Sequence, residues 1–281
     1  MKKFLSDGHI HLTSDTKEGR GEFARRLKIP GMRAALLISL PPRSSAYSPD
    51  MITGTGARLD HLFYWAGSAR NVFPFYRLDP LEKDAIRQVG LAVKRGVAGF
   101  KVMCDRFYPG DARALKVFRC IAENNKPILF HSGILWDLAD SSRYHRPVEF
   151  ESLIHVPHLR FALAHISWPW CDEAIAVFGK FLHVQRTKGA VCPQMYIDTT
   201  PGTPPIYRHE ALSRLFGVGY PLSEKVFFGT DNSANDYDVA GAKTWIQRDL
   251  AVFKRLKLKR EVIQNVMGKN LERFLGVKLD S

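Results

Sequence analysis

Long apolar runs are missing from the 281 residues: nothing approaches the roughly 20 consecutive apolar residues that cross a bilayer, so no membrane-spanning helix is expected. Cysteine is scarce. Cys104, Cys120, Cys171 and Cys192 form no close pair, which argues against both a thiolate zinc cage and a disulfide framework and fits a cytoplasmic, reducing setting. A Gly-x-Gly-x-x-Gly turn is absent, so a dinucleotide-binding sheet has no local support. Low-complexity tracts and interdomain linkers are absent as well. MKKFL opens like the basic start of a signal peptide, but SDGHIH stands where the apolar region should follow.

Acidic charge is also in short supply. With 41 Lys and Arg against 28 Asp and Glu, the formal net charge is +13, a balance that favours nucleic acid or anionic small molecules as partners. The densest basic segment, FKRLKLKRE, sets Lys254, Arg255, Lys257, Lys259 and Arg260 among Phe253, Leu256 and Leu258 near the end of a helical pattern. It reads as a solvated helix face. No aromatic-interleaved basic patch accompanies it, so a small-molecule substrate is expected rather than nucleic acid, with no membrane partner and a homo-oligomer left open.

What is present is an ordinary globular composition, 45% hydrophobic and 25% charged, arranged in a regular order. Eight short segments have the length and make-up of strands: FLSDGHI, AALLISL, VFPFYRL, VAGFKVM, PILFHS, RFALAH, MYIDTT and KVFFGTD. Helical patterns lie between several of them. In PLEKDAIRQVGLAVKRG, Leu81, Ala85, Val89 and Val93 recur every fourth residue and Gly96 stops the run. DARALKVFRCIAENNKP carries a stripe of Leu115, Phe118 and Ala122, and CDEAIAVFGKFLHV opens on acidic residues suited to a helix N-terminus. Such alternation predicts an α/β fold, a single-domain (β/α)8 TIM barrel over residues 1–281. The long connections, PPRSSAYSPDMITGTGARLDHLFYWAGSARN, SGILWDLADSSRYHRPVEF and TPGTPPIYRHE, each follow a strand's C-terminal end and are candidate pocket walls or lids.

DGHIHL places His9 and His11 two residues apart on the first strand, hence on one side. Ten histidines in this length give about a third of one such pair by chance, so the pair alone proves little. Its company is Lys101 on the fourth strand, His131 on the fifth, His165 on the sixth and Asp231 on the eighth, all at C-terminal ends that converge on one mouth. A lone buried histidine is ordinarily a hydrogen-bonded core residue. Together, imidazoles and a carboxylate are what a borderline divalent cation binds: zinc first, manganese second, one ion rather than two. His61, His145, His155, His158, His183 and His209 read as solvent-facing or capping residues. Asp7 has the parity to sit below His9 and orient its ring, or to hydrogen-bond the backbone. Lys101 has three open roles: binding a substrate anion, carrying a carbamate between two metals, or pairing with Asp231.

The order DGHIH, GFKV, FHSG, LAHIS, YIDTT, FFGTD and NVMGKNLERFLG resembles the amidohydrolase superfamily, in its amidohydrolase-2 branch of lactone and amide hydrolases and aminocarboxymuconate-semialdehyde decarboxylase-like enzymes. The resemblance spans the whole chain. It implies that His9, His11, His131 and Asp231 hold the metal, with His165 the acid/base or oxyanion group, or a ligand of a second metal. One departure is Met103, where many members of the branch have histidine two residues after the fourth-strand lysine. TatD-type deoxyribonucleases share His-x-His but usually carry glutamate where this chain has Lys101.

The expected chemistry is metal-assisted attack of water on an amide, ester or lactone of a small anionic substrate, with Asp231 moving the proton. The alternative is non-oxidative decarboxylation of a conjugated or aromatic carboxylate. A TatD-like nuclease and a non-catalytic ligand-binding barrel stand behind both. Lys101, Arg106 and Trp136 are the candidate substrate contacts, Arg106 as receiver of a carboxylate, with Trp168 and Tyr108 as further pocket candidates.

Overall fold

A computed structural model describes residues 4–42, 44, 52 and 54–279. Its parallel sheet runs β1 (Leu5–His11), β2 (Met32–Ile38), β3 (Val72–Arg77), β4 (Gly99–Val102), β5 (Ile128–Phe130), β6 (Arg160–Leu163), β7 (Gln194–Asp198) and β8 (Val226–Phe227). Each strand is hydrogen-bonded to the next in sequence, and β9 (Asn232–Ser233) pairs with β1. Closure is therefore made by one stretch of chain. Its first part lies on β7 and its second on β1: the predicted eighth strand KVFFGTD is strand only at Val226–Phe227, and the pairing with β1 is made just beyond it by Asn232–Ser233. The architecture is the expected barrel.

The helices α1 (Arg20–Arg26), α2 (Thr55–Ala66), α3 (Ala85–Arg95), α4 (Ala112–Glu123), α5 (Cys171–Lys188), α6 (Pro205–Gly217) and α7 (Val239–Arg255) form the outer layer. Chemistry at their ends is as the sequence suggests: Asp111 accepts the Arg113 N–H to cap α4, and Gly96 takes a left-handed φ of 91° to end α3. Two connections differ from expectation. The first long connection contains α2, whose buried Leu59, Leu62 and Trp65 pack on the barrel, while residues 43, 45–51 and 53 of that connection lie outside the described residues. The β5–β6 crossover is built of 3-10 turns, Ser142–His145 and Pro147–His155, where a barrel repeat would place an α-helix.

Alternation along the strands sorts two cores. Ala35 and Leu37 face the helices, whereas Ala34, Leu36 and Ile38 face inward with Phe75, Leu129, Ala162, Tyr196 and Phe227. The bottom of the barrel is plugged by α9 (Asn270–Leu275), which follows α8 (Arg260–Gln264) through a π turn, Asn265–Lys269. Phe274 meets Phe75, Tyr196 and Phe227 at ring separations of 5.1–6.2 Å, and the Asn270 amide donates to the carbonyls of Ser223 and Val226. Gly8 belongs to the same packing. A Cβ there would come within 2.6 Å of the Phe227 ring, so a side chain at this position would displace the inner core. Among the described residues no helix is long and apolar enough to cross a membrane, and all four cysteines are unpaired.

Phe274 is fully buried, so Phe274→Ala should lower unfolding free energy by about 3–5 kcal/mol. Urea denaturation followed by circular dichroism reads the shift.

Candidate metal centre and active site

The mouth is organised from β1 outward. His9 is fully buried and its Nδ1 lies 2.6 Å from Asp198 Oδ2, at the end of β7. Asp198 also accepts from the Thr200 backbone N–H at 2.7 Å and from the Thr200 hydroxyl. A proton on His9 Nδ1 leaves Nε2 with its lone pair facing inward. Asp7 serves elsewhere. It accepts from the backbone N–H of His9 and of Thr230, at 3.2 and 2.9 Å, and from the hydroxyls of Thr230 and Tyr237, at 2.6 and 2.9 Å. The parity argument for Asp7 thus resolves to its backbone option, and Asp198 holds the ring. YIDTT carried the signal for Asp198: a carboxylate at a strand's C-terminal end.

Asp231 sits in the gap between β8 and β9 with a left-handed φ of 61°, its N–H donating to the His9 carbonyl at 2.9 Å. Its Oδ1 lies 3.3 Å from His11 Nε2 and 3.7 Å from His9 Nε2, and the two Nε2 atoms are 3.0 Å apart. Ligands about 2.0–2.1 Å from a tetrahedral ion are spaced about 3.4 Å from one another, so His9, His11 and Asp231 form a donor triangle of suitable chemistry and size. Two imidazole nitrogens facing each other at 3.0 Å need a proton or a cation between them.

His165 reaches the centre through backbone strain. His165, Ile166 and Ser167 all have left-handed φ, 62°, 50° and 56°, a conformation costing about 1–2 kcal/mol per non-glycine residue. The His165 ring lies 5.4 Å from that of His9, and its Nδ1 is 3.2 Å from the Pro201 carbonyl. Gly202 passes over it so closely that a Cβ would stand 2.7 Å from His165 Cβ. His131 stands between His165 and His145, with ring separations of 4.9 and 4.8 Å, and its Nε2 is 3.3 Å from the Ile134 carbonyl. It lines the same cavity but is not one of the three donors that lie within 4.8 Å of one another.

Burial governs the charges. It drives His9 and His131 well below their ordinary values and lowers His11 and His165, leaving neutral imidazoles able to offer lone pairs. Burial would raise Asp231, but the hydrogen bond with His11 and the surrounding imidazoles hold it well below the usual carboxylate range. Lys101, buried with Nζ 3.4 Å from His9 Nε2, is pushed down to about 7 by desolvation against the pull of Asp231 and Asp198.

These groups open into a cavity of about 320 Å3, walled also by Met103, Leu135 and Trp168, with Trp136 76% exposed at its rim. Arg106 is not among the lining residues. Its guanidinium binds the Asp79 carboxylate and the Ser44 carbonyl, and the arginine that lines the cavity is Arg77, the last residue of β3. The same strand-end rule that found Lys101 would have found Arg77. Tyr108 packs on Tyr144 away from the cavity. His155, His158, His183 and His209 face solvent as expected, whereas His61 and His145 are buried. His61 belongs to α2, and its Nε2 donates to the Thr16 carbonyl at 2.9 Å.

Residues 6–277 match the family described as amidohydrolase. No curated protein matches the chain in sequence. Among solved structures, an amidohydrolase from Burkholderia multivorans with bound zinc superposes with a TM-score of 0.64 at 11% identity, covering 98% of this chain and 100% of the other. A Pseudomonas putida protein assigned as 2-pyrone-4,6-dicarboxylic acid hydrolase gives 0.63 at 15%, with both chains fully covered. A 2,6-dihydroxybenzoate decarboxylase from Rhizobium gives 0.61 at 12%, covering 98% and 99%. The chain belongs to the amidohydrolase family, whose members are metal-dependent enzymes. Its donor triangle lies at the C-terminal mouth, where barrel active sites sit.

Each imidazole whose folded pKa lies below its unfolded value binds fewer protons folded than unfolded, so its contribution to stability is present above the unfolded value near 6.5 and is lost as pH falls. For His145, burial lowers the folded value to about 3. The His145 contribution to the metal-free protein's stability should therefore fall by about 1.4 kcal/mol per pH unit from about pH 6.5 towards pH 3, offset in part between about pH 6 and 4 by Asp7 and Asp198, whose burial raises them to about 6 and acts with the opposite sign. Urea midpoints across that range check the slope. Asp198→Asn should weaken zinc binding about 10–100-fold with the fold retained, measured by chelator competition.

Proposed function

We propose that the chain is a metal-dependent hydrolase that cleaves an amide, ester or lactone bond of a small anionic substrate. The observation that carries this reading is the triangle of His9, His11 and Asp231 beside a buried, neutral His165. A divalent ion held there, zinc before manganese, would supply Lewis acidity and bring the pKa of water towards about 7. His131 is proposed as a further ligand from the same cavity. A single ion is favoured because one donor group of this kind assembles among the described residues.

Asp231, ionised and next to the donors, is placed to take a proton from water and return it to the leaving group. His165 can share that task. With Nδ1–H engaged by the Pro201 carbonyl, its Nε2 is an acceptor, and donating to an oxyanion would require a second proton that burial opposes. A proton-accepting role therefore suits His165 better than an oxyanion role. Lys101 and Arg77 make one side of the cavity cationic, which suits a substrate carboxylate, while Trp136, Trp168 and Leu135 offer an apolar side. The volume suits a small molecule.

Decarboxylation of a conjugated carboxylate is the second reading. Lys101 favours it, since a buried ammonium at the centre could deliver a proton to carbon.

Purified protein should carry zinc or respond to it, and His11→Ala and Asp231→Asn should abolish turnover with circular dichroism unchanged. A panel of lactones, amides and carboxylated aromatics, read by product mass, decides the reaction: gain of one water marks hydrolysis and loss of carbon dioxide marks decarboxylation. Indifference to both metal and chelators would overturn the reading.

A further inference from the structure

His145 closes the 3-10 turn Ser142–His145 in the β5–β6 connection. Its ring is fully buried, and neither Nδ1 nor Nε2 meets a hydrogen-bond partner. A neutral imidazole carries one donor and one acceptor, and unpaired polar atoms in an interior cost stability that a phenylalanine of similar shape would not.

What the ring does meet is His131, with centroids 4.8 Å apart and planes at 75°. Two imidazoles joined by an N–H···N bond of about 2.9 Å have centroids about 5 Å apart. In this same site, the His9 and His11 rings show that a centroid separation of 4.9 Å accompanies an Nε2···Nε2 distance of 3.0 Å. His145 and His131 are thus already at bonding separation, and ring rotation alone is lacking. The backbone of His145 adds a second grip. Its carbonyl accepts the Gly133 N–H at 3.2 Å and the Ser132 hydroxyl at 3.0 Å, just beyond His131. Ser132 Oγ lies 2.8 Å from Ser167 Oγ, so the turn also braces the chain after His165.

Metal-bound histidines ordinarily give their other ring nitrogen a partner that fixes tautomer and orientation. His9 has Asp198 at 2.6 Å, and the neighbouring His165, assigned to proton transfer and not to the ion, is held in the same manner by the Pro201 carbonyl at 3.2 Å. For His131 the partner is the Ile134 carbonyl at 3.3 Å, long for an N–H···O bond.

We propose that His145 is a positioning residue of the metal centre, supplying the hydrogen-bond partner that fixes the His131 ring when His131 serves as a ligand. The proposal rests on the metal-dependent reading above. It gives one of the two unpaired nitrogens of a buried ring a use that arises only in the loaded protein.

The test compares the full-length parent with His145→Phe and His145→Gln, by zinc affinity from chelator competition and by urea midpoint of the metal-free protein. His145→Phe should keep or raise the metal-free midpoint yet bind zinc about 10–100-fold more weakly, and His145→Gln, whose amide can donate and accept, should recover part of the loss. His145→Leu gives the same reading if the phenylalanine variant does not fold. Zinc affinity within about twofold of the parent in the apolar variant overturns the proposal, as does a loss that merely tracks a fallen midpoint in every variant. A parent that binds no zinc removes the metal-dependent reading itself, so the two failures are told apart by the parent alone.

Discussion

The mouth of this barrel depends on how strand β1 is held. β1 is bonded on one edge to β2 and on the other to the closing segment, and the Asp7 carboxylate fastens it there through Thr230 and Tyr237. His9 and His11 reach the centre only in this register, since a slip of one residue would turn both imidazoles to the opposite face. Gly8 supplies the remaining condition. With no side chain between Asp7 and His9, Phe227 can fill the barrel directly beneath the donors. Five consecutive residues, DGHIH, thus close the barrel, admit its inner core and present two candidate ligands.

The candidate functional side chains Asp231 and His165 stand where the regular pattern breaks. Asp231 occupies a left-handed turn that splits the last strand, and His165 begins a left-handed run that lifts the chain off β6. Such conformations persist when their surroundings over-determine them. Around Asp231 the determinants are its own N–H bond to His9 and the pairing of β9 immediately beyond it. Around His165 they are the Pro201 carbonyl and the close passage of Gly202. A rule that reads strand ends as inward-facing finds these residues but not the turns that aim them.

That difference marks how far the sequence was legible. Periodicity located the strands and the helices α3, α4 and α5, because burial of alternating or fourth residues leaves a direct trace. It missed α2, where His61 and Arg58 are buried along with the apolar residues and blur the stripe. For the site, His9, His11, His131, His165, Lys101 and Asp231 were recognisable as reactive types at strand ends, and all six line one cavity. Asp198 and Arg77 obeyed the same rule but lie within strand sequences that read as core. His145 left no trace, since its burial follows from a 3-10 crossover where the repeat implies a helix. Arg106 was legible only as a cation near the mouth, and the Asp79 carboxylate that takes it comes from the chain just past β3.

Lys101 then sets the electrostatic terms of the centre. His9 and His11 turn their Nε2 atoms towards each other and towards Asp231, and a divalent ion between the three would engage all of them at once. An ammonium 3.4 Å from His9 Nε2 works against the ion twice, by direct repulsion and by competing for the carboxylate charge of Asp198 and Asp231. One ion is compatible with Lys101 charged, provided the ion keeps to the β1 and Asp231 side. Two ions would crowd the ammonium, and Lys101 would have to shed its charge, as the free amine or as a carbamate. Because desolvation already brings Lys101 to about 7, that choice is finely poised at neutral pH. The same poise bears on the reaction. On the proposed reading, a charged Lys101 would anchor a substrate carboxylate and could give a proton, whereas an uncharged one would leave the anchoring to Arg77, its register partner on the neighbouring strand.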